Sequence, residues 1–109
     1  MTKMELIDKL ASLPELIEAQ EKTIIVIYGQ VQECKRVLTE AEDDLLLSGA
    51  IDGKNAEIRA AQMRVKTPKE QESIRVSEKA LSVERVKLNR LNNELAVCQA
   101  IAGMLKGAE

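Results

Sequence analysis

Histidine, tryptophan and phenylalanine are absent from this 109-residue chain, Tyr28 is its sole aromatic residue, and it holds two prolines and two cysteines. Each scarcity removes a class of structure or chemistry. Without aromatics a core built around large rings is excluded, and the Leu, Ile, Val and Ala that carry the apolar content suit interdigitating helix seams. Without His the chain lacks the usual general acid–base group and a principal zinc ligand. Cys34 and Cys98 have no Cys-x-x-Cys spacing and fall at apolar helical positions, so they read as buried free thiols, and no cofactor or metal is implied. Strand signals are missing too. The one β-branched stretch, Thr23–Tyr28, lies within a helical periodicity. The first ten residues contain Glu5 and Asp8 and no continuous apolar run, which points away from a signal peptide or membrane span and predicts a cytoplasmic protein without membrane partners.

What is present is heptad order. Leu10, Ile17, Ile24, Val31, Leu38 and Leu45 recur every seven residues, with Leu13, Gln20, Ile27, Cys34 and Ala41 as companions. That is an a/d seam. Ile74, Leu81, Leu88, Leu95 and Ala102 repeat likewise, joined by Leu91, Cys98 and Leu105, with Ser77 and Glu84 making part of this seam polar. Three capping boxes, Thr2–Glu5, Ser12–Glu15 and Thr67–Glu70, mark helix starts, and Pro14 and Pro68 fall in first turns, where a missing amide hydrogen costs little. The prediction is a single all-α domain over residues 1–109: a short helix over Lys3–Ala11, long helices over Leu13–Ser48 and Pro68–Lys106, and a tip over residues 49–66 with its own short helix. The long helices form an antiparallel, coiled-coil-like hairpin, each about 55 Å long. With the shortest connection, Cys34 faces Ser82 and Cys98 faces Glu18, too far apart along the helices for a disulfide.

A two-helix hairpin hides one stripe per helix, yet Ile24, Ile25, Val26, Ile27 and Tyr28 point all round the axis, and Val76, Val83 and Val97 lie off the seam. A helix apolar all round is buried all round. Either the short N-terminal helix folds back over this region, or the hairpin self-associates into a four-helix or larger bundle; the second is favoured. The candidate oligomer interface is Ile24, Ile25, Val26, Ile27, Tyr28, Val76 and Val83.

Charge is uneven although the net is −2: residues 1–53 hold five Lys/Arg against eleven Asp/Glu, and residues 54–90 hold ten against five. The tip is basic. Gly49 can end the first long helix in a left-handed cap. Asn55 can cap a tip helix that lays Ile58, Ala61 and Val65 against Leu46, Leu47 and Ile51 and displays Asn55, Arg59, Gln62 and Lys66 on its polar face. One reading pairs this basic half with Glu40, Glu42, Asp43 and Asp44 across the hairpin. The other is a binding surface for a nucleotide, nucleic acid or acidic protein, in which Lys54, Arg59, Arg64 and Lys66 supply charge and Asn55 and Gln62 supply directional hydrogen bonds. The lack of a stacking aromatic disfavours single-stranded nucleic acid.

Gly53-Lys54-Asn55-Ala56-x-x-Arg59, set between two long helices, resembles the tip of small helical-hairpin proteins of bacteriophages and prophages. The resemblance implies a phage origin and a bacterial host cell, and a job among those of small helical phage proteins: recombination accessory, inhibitor of a host defence enzyme, or oligomeric sponge for nucleotide signals. Catalysis is not indicated by the residues. Apart from Glu84 in the seam, the Asp and Glu residues fall on faces that periodicity marks as solvated, neither cysteine has a neighbouring base, and Gly53-Lys54 lacks the phosphate-loop spacing and the Ser/Thr that follows it. The reading is therefore a non-enzymatic protein that self-associates and inhibits or adapts a host or phage protein, the alternatives being an anti-defence oligomer that sequesters nucleotides or binds nucleic-acid phosphates and a structural coiled-coil scaffold.

Overall fold

The computed structural model describes residues 1–108. Three helices form: α1, Lys3–Leu47; α2, Ala56–Lys66; and α3, Pro68–Ala108. No strand occurs among the described residues, and the fold is an all-α helical hairpin. The chain divides into two compact bodies, one joining Met1–Val26 to the chain from Ser82 onward and the other comprising Ile27–Leu81.

Thr2 opens α1 as its sequence foretells, its Oγ1 accepting from the Glu5 amide at 3.1 Å. The expected break at Ser12 does not occur. A short helix over Lys3–Ala11 and a new start at Leu13 are replaced by one helix that runs through Pro14. Leu6, Leu10, Leu13 and Ile17 keep helical spacing across the proline, and burying Leu6 and Leu13 stabilises the helix by roughly 1.5–3 kcal/mol each. Together they offset the roughly 3 kcal/mol an internal proline costs through its missing amide and ring clash. Residues 3–11 are thus part of α1, and no N-terminal helix folds back over Ile24–Tyr28.

In the first body α1 and α3 run antiparallel. Leu6, Leu13 and Cys98 are buried together, with Leu10, Leu91, Leu95, Ile101 and Ala102 packed around them. Lys9 bonds to Glu94 at one edge. Gln20 sits in the seam and donates to the Glu84 carbonyl at 2.9 Å and to its Oε2 at 2.6 Å. This bond, with Lys87 at 3.1 Å, holds the Glu84 carboxyl below the usual carboxylate range.

In the second body Val31 and Leu81 are buried and Lys35 pairs with Glu78 at 3.4 Å. Only Thr67 separates α2 from α3, and the inward positions Met63, Thr67, Glu70, Ile74, Ser77 and Leu81 carry one heptad phase through the junction. The last turns of α1 are therefore covered by α2, and α3 meets α1 further back. This displaces the helix register by about three turns from the shortest-connection alignment. Cys98 packs on Leu6 and Leu13 rather than Glu18, and Cys34 lies beside Lys69 and Ser73 rather than Ser82. Both thiols are free.

The α2–α3 junction shows how a proline can sit between two nearly continuous helices. Pro68 has no amide hydrogen to give the Arg64 carbonyl, and the Gln71 side-chain amide donates there instead at 3.3 Å. The same Nε2 donates to Thr67 Oγ1 at 2.8 Å, while that hydroxyl donates to the Met63 carbonyl at 2.8 Å. Thr67, 1% exposed, thus turns its hydroxyl back onto α2 rather than forward onto Glu70. At the other end of the tip Gly49 takes φ +78, and the Ala50 and Gly49 amides donate to the Leu45 and Leu46 carbonyls, each at 3.2 Å. This is the left-handed helix stop expected of a glycine there.

Candidate functional site

The tip lies within the second body and is built by its own polar side chains. Asn55 caps α2, its Oδ1 accepting from the Ile58 amide at 2.9 Å. Gln62 reaches back along the loop, its Oε1 accepting from the Gly53 amide and its Nε2 donating to Asp52 Oδ1, both at 2.9 Å. Arg59 Nη1 donates to the Gly53 carbonyl at 3.1 Å. Residues 52–55 are thereby clamped onto the first two turns of α2. A Cβ at Gly53 would lie 2.6 Å from Ile58 Cγ2 and 3.0 Å from Gln62 Oε1, so the closeness of this approach, rather than an unusual backbone angle, selects glycine.

Of the polar residues placed on the tip face, Asn55, Arg59 and Gln62 are engaged in holding the loop, and Lys54, Arg64 and Lys66 are exposed. Among the described residues Lys54, Arg59, Arg64 and Lys66 make no ion pair with Glu40, Glu42, Asp43 or Asp44; Glu40 is taken by Arg36 on its own helix. The apolar face of α2 also differs from expectation. Ile58 and Val65 are exposed, Val65 at 78%, and Leu47 at 86% is turned to solvent. The heptad phase that α3 imposes through Thr67 brings Met63 inward instead.

That rotation creates a cleft. Leu46, Ile51, Ala60 and Met63 supply apolar walls, and Arg59, Arg64 and Glu42 bring charge to it. The combination of two guanidinium groups with aliphatic surface suits an acidic group carried on an apolar body. No family model, curated protein or solved structure matches this chain. Sequence reasoning identified Arg59 and Arg64 and set the tip helix against Leu46 and Ile51 but missed Met63 as the residue turned inward, for which the continuous spacing Met63, Thr67, Glu70 and Ile74 was the available signal.

The candidate interface residues fall in two groups. Ile24 and Ile27 are half-buried at seam positions. Ile25, Val26 and Val83 in the first body, and Tyr28 and Val76 in the second, are exposed, Ile25 most at 69%. No helix among the described residues is long and apolar enough to cross a membrane.

Proposed function

We propose that the protein is a non-catalytic binding protein of phage type that self-associates through aliphatic side chains left outside its seam and inhibits or adapts a host or phage protein through its tip. The observation that carries the reading is the clamped tip with its cleft. Gln62, Asn55 and Arg59 hold the loop rigid, which lowers the ordering cost of binding, while Arg64, Lys54 and Lys66 keep their charges unpaired among the described residues. The aliphatic walls favour a protein partner, since a patch that is apolar at its centre and charged at its rim, here by Arg59, Arg64 and Glu42, is the anatomy of a protein interface.

A photo-crosslinking residue at Val65, on the outside of α2, tests this in host cells. The expected result is one discrete adduct with a second protein, lost in Arg64→Glu while circular dichroism and subunit mass stay unchanged. The two arginines at one cleft also fit a nucleotide captured by the oligomer. Under that reading nucleotides or cyclic dinucleotides raise the melting temperature by mass action and no protein adduct forms; nucleic acid would reveal itself by steep salt dependence. Absence of an adduct, of a ligand shift and of salt-dependent binding would reduce the protein to a structural scaffold.

A further inference from the structure

Besides its seam, α3 carries a second seven-residue repeat within the first body: Val83, Arg90, Val97 and Met104, interleaved with Lys87, Glu94 and Ile101. Val83, Val97 and Met104 are exposed at 48%, 55% and 69%. The Lys9–Glu94 bond marks the edge of the hairpin on which this stripe runs. Leu16, seven residues beyond Lys9 on α1, belongs to the same edge and is also exposed. The opposite edge of α3 in this body, Asn89, Asn92, Ala96, Gln99 and Gly103, is polar or small. On α3, therefore, one edge of the first body carries an exposed aliphatic repeat and the other does not.

The stripe is self-complementary. Reversed and laid upon itself with Arg90 at the centre, it sets Val83 against Val97, brings Lys87 to within one residue of the level of Glu94, and places Glu94 about one turn from Arg90 of the opposing helix. Resting on the self-association proposed above, we infer that this edge takes a second copy of the chain, with the two α3 helices antiparallel about a two-fold axis at Arg90. A two-fold interface requires one patch to complement itself, and a sequence reading apolar, basic, acidic, apolar meets that requirement only in the antiparallel sense. Parallel pairing would set Lys87 on Lys87 and Glu94 on Glu94. The Arg90 pair at the axis is offset by the two Glu94 carboxylates beside it, each of which has acceptor sites left beyond its bond to Lys9.

The residue on a two-fold axis faces its own copy, so Arg90→Cys in a Cys34→Ser background tests the arrangement directly. Cys98, fully buried, does not compete. On mild oxidation the Arg90→Cys chain is expected to run as a covalent dimer on non-reducing electrophoresis, and Asn92→Cys on the opposite edge to remain uncrosslinked. In parallel, Val97→Glu, which alters an exposed side chain and keeps helical circular dichroism, is expected to lower the mass in solution by half or more at micromolar concentration. A wild-type monomer by light scattering would overturn both this inference and the self-association on which it rests. A wild-type oligomer in which Arg90→Cys fails to link and Val97→Glu keeps its mass would overturn this interface alone, leaving self-association through another face.

Discussion

Gln62 serves two ends of one turn with a single amide, and that economy makes it the most informative residue of the tip. Gln62→Ala leaves the Gly53 amide and the Asp52 carboxylate to water and is expected to lower stability by about 1–2 kcal/mol in chemical denaturation. Gly53→Ala should cost a similar amount for a different reason, since its methyl group meets Ile58 and the cost of overpacking is about 1–3 kcal/mol. The two changes act on one contact, so the double variant should lose less than the sum. A fully additive result would show that the loop is held elsewhere. The Gln62 clamp was not legible in the sequence. Asn55 announces itself as a cap because the cap and the amide it serves are three residues apart, whereas Gln62 reaches a loop nine residues back whose fold is decided only once α2 is in place.

At the scale of the element, the seams were legible, as were the helix ends at Thr2, Gly49, Asn55 and Pro68, and the error fell at Ser12. Val31, Leu38 and Leu45, or Leu81, Leu88 and Leu95, are spaced as the seam of a helix pair requires, and neither strands nor loops sustain that spacing. Ser12-Leu13-Pro14-Glu15 looked like a helix start because local chemistry alone cannot weigh a proline against leucines buried by a helix distant in sequence. The observed continuity of α1 yields a prediction. Pro14→Ala restores a backbone bond to Leu10 inside a helix and should raise stability by up to about 3 kcal/mol, and Gly29→Ala, with open space around its Cβ, by about 1 kcal/mol. If Pro14→Ala instead destabilised the chain in thermal melts, the helix would begin anew at that point and its assigned continuity would be wrong. The Thr67 junction taught the complementary lesson: a capping box was foreseen there, but the hydroxyl is drawn back to α2 because Pro68 leaves an α2 carbonyl unserved and Gln71 must reach over to it.

For the whole molecule, the charges that bear on pH are few. The Glu84 carboxyl is held low by Gln20 and Lys87, so its contribution is present above the ordinary carboxylate range and is lost as pH falls through its lowered value. Lys9 is held high by Glu94, so its contribution is present below the ordinary lysine range and disappears as pH rises through the raised value. Thermal melts should therefore give a stability plateau across neutral pH with losses at both ends. Glu84→Gln is expected to flatten the acid limb below the ordinary carboxylate range and leave the alkaline limb unaltered; an unchanged acid limb would place the sensitivity in the exposed Arg36 and Arg75 pairs, which solvent screens.

A heptad stripe of interchangeable aliphatic residues has a defect as a code: slid by seven, Leu falls on Leu and Ile on Val, and the mispaired alignment is nearly as well packed as the true one. Gln20 and Glu84 supply punctuation. A seven-residue slip in either direction would carry the Glu84 carboxylate opposite an aliphatic seam residue, Ile27 or Leu13, leaving it desolvated without its bond to Gln20. The polar pair thus contributes less to the depth of the native minimum than to the height of its neighbours, making one reading frame of a repetitive surface the only one that closes.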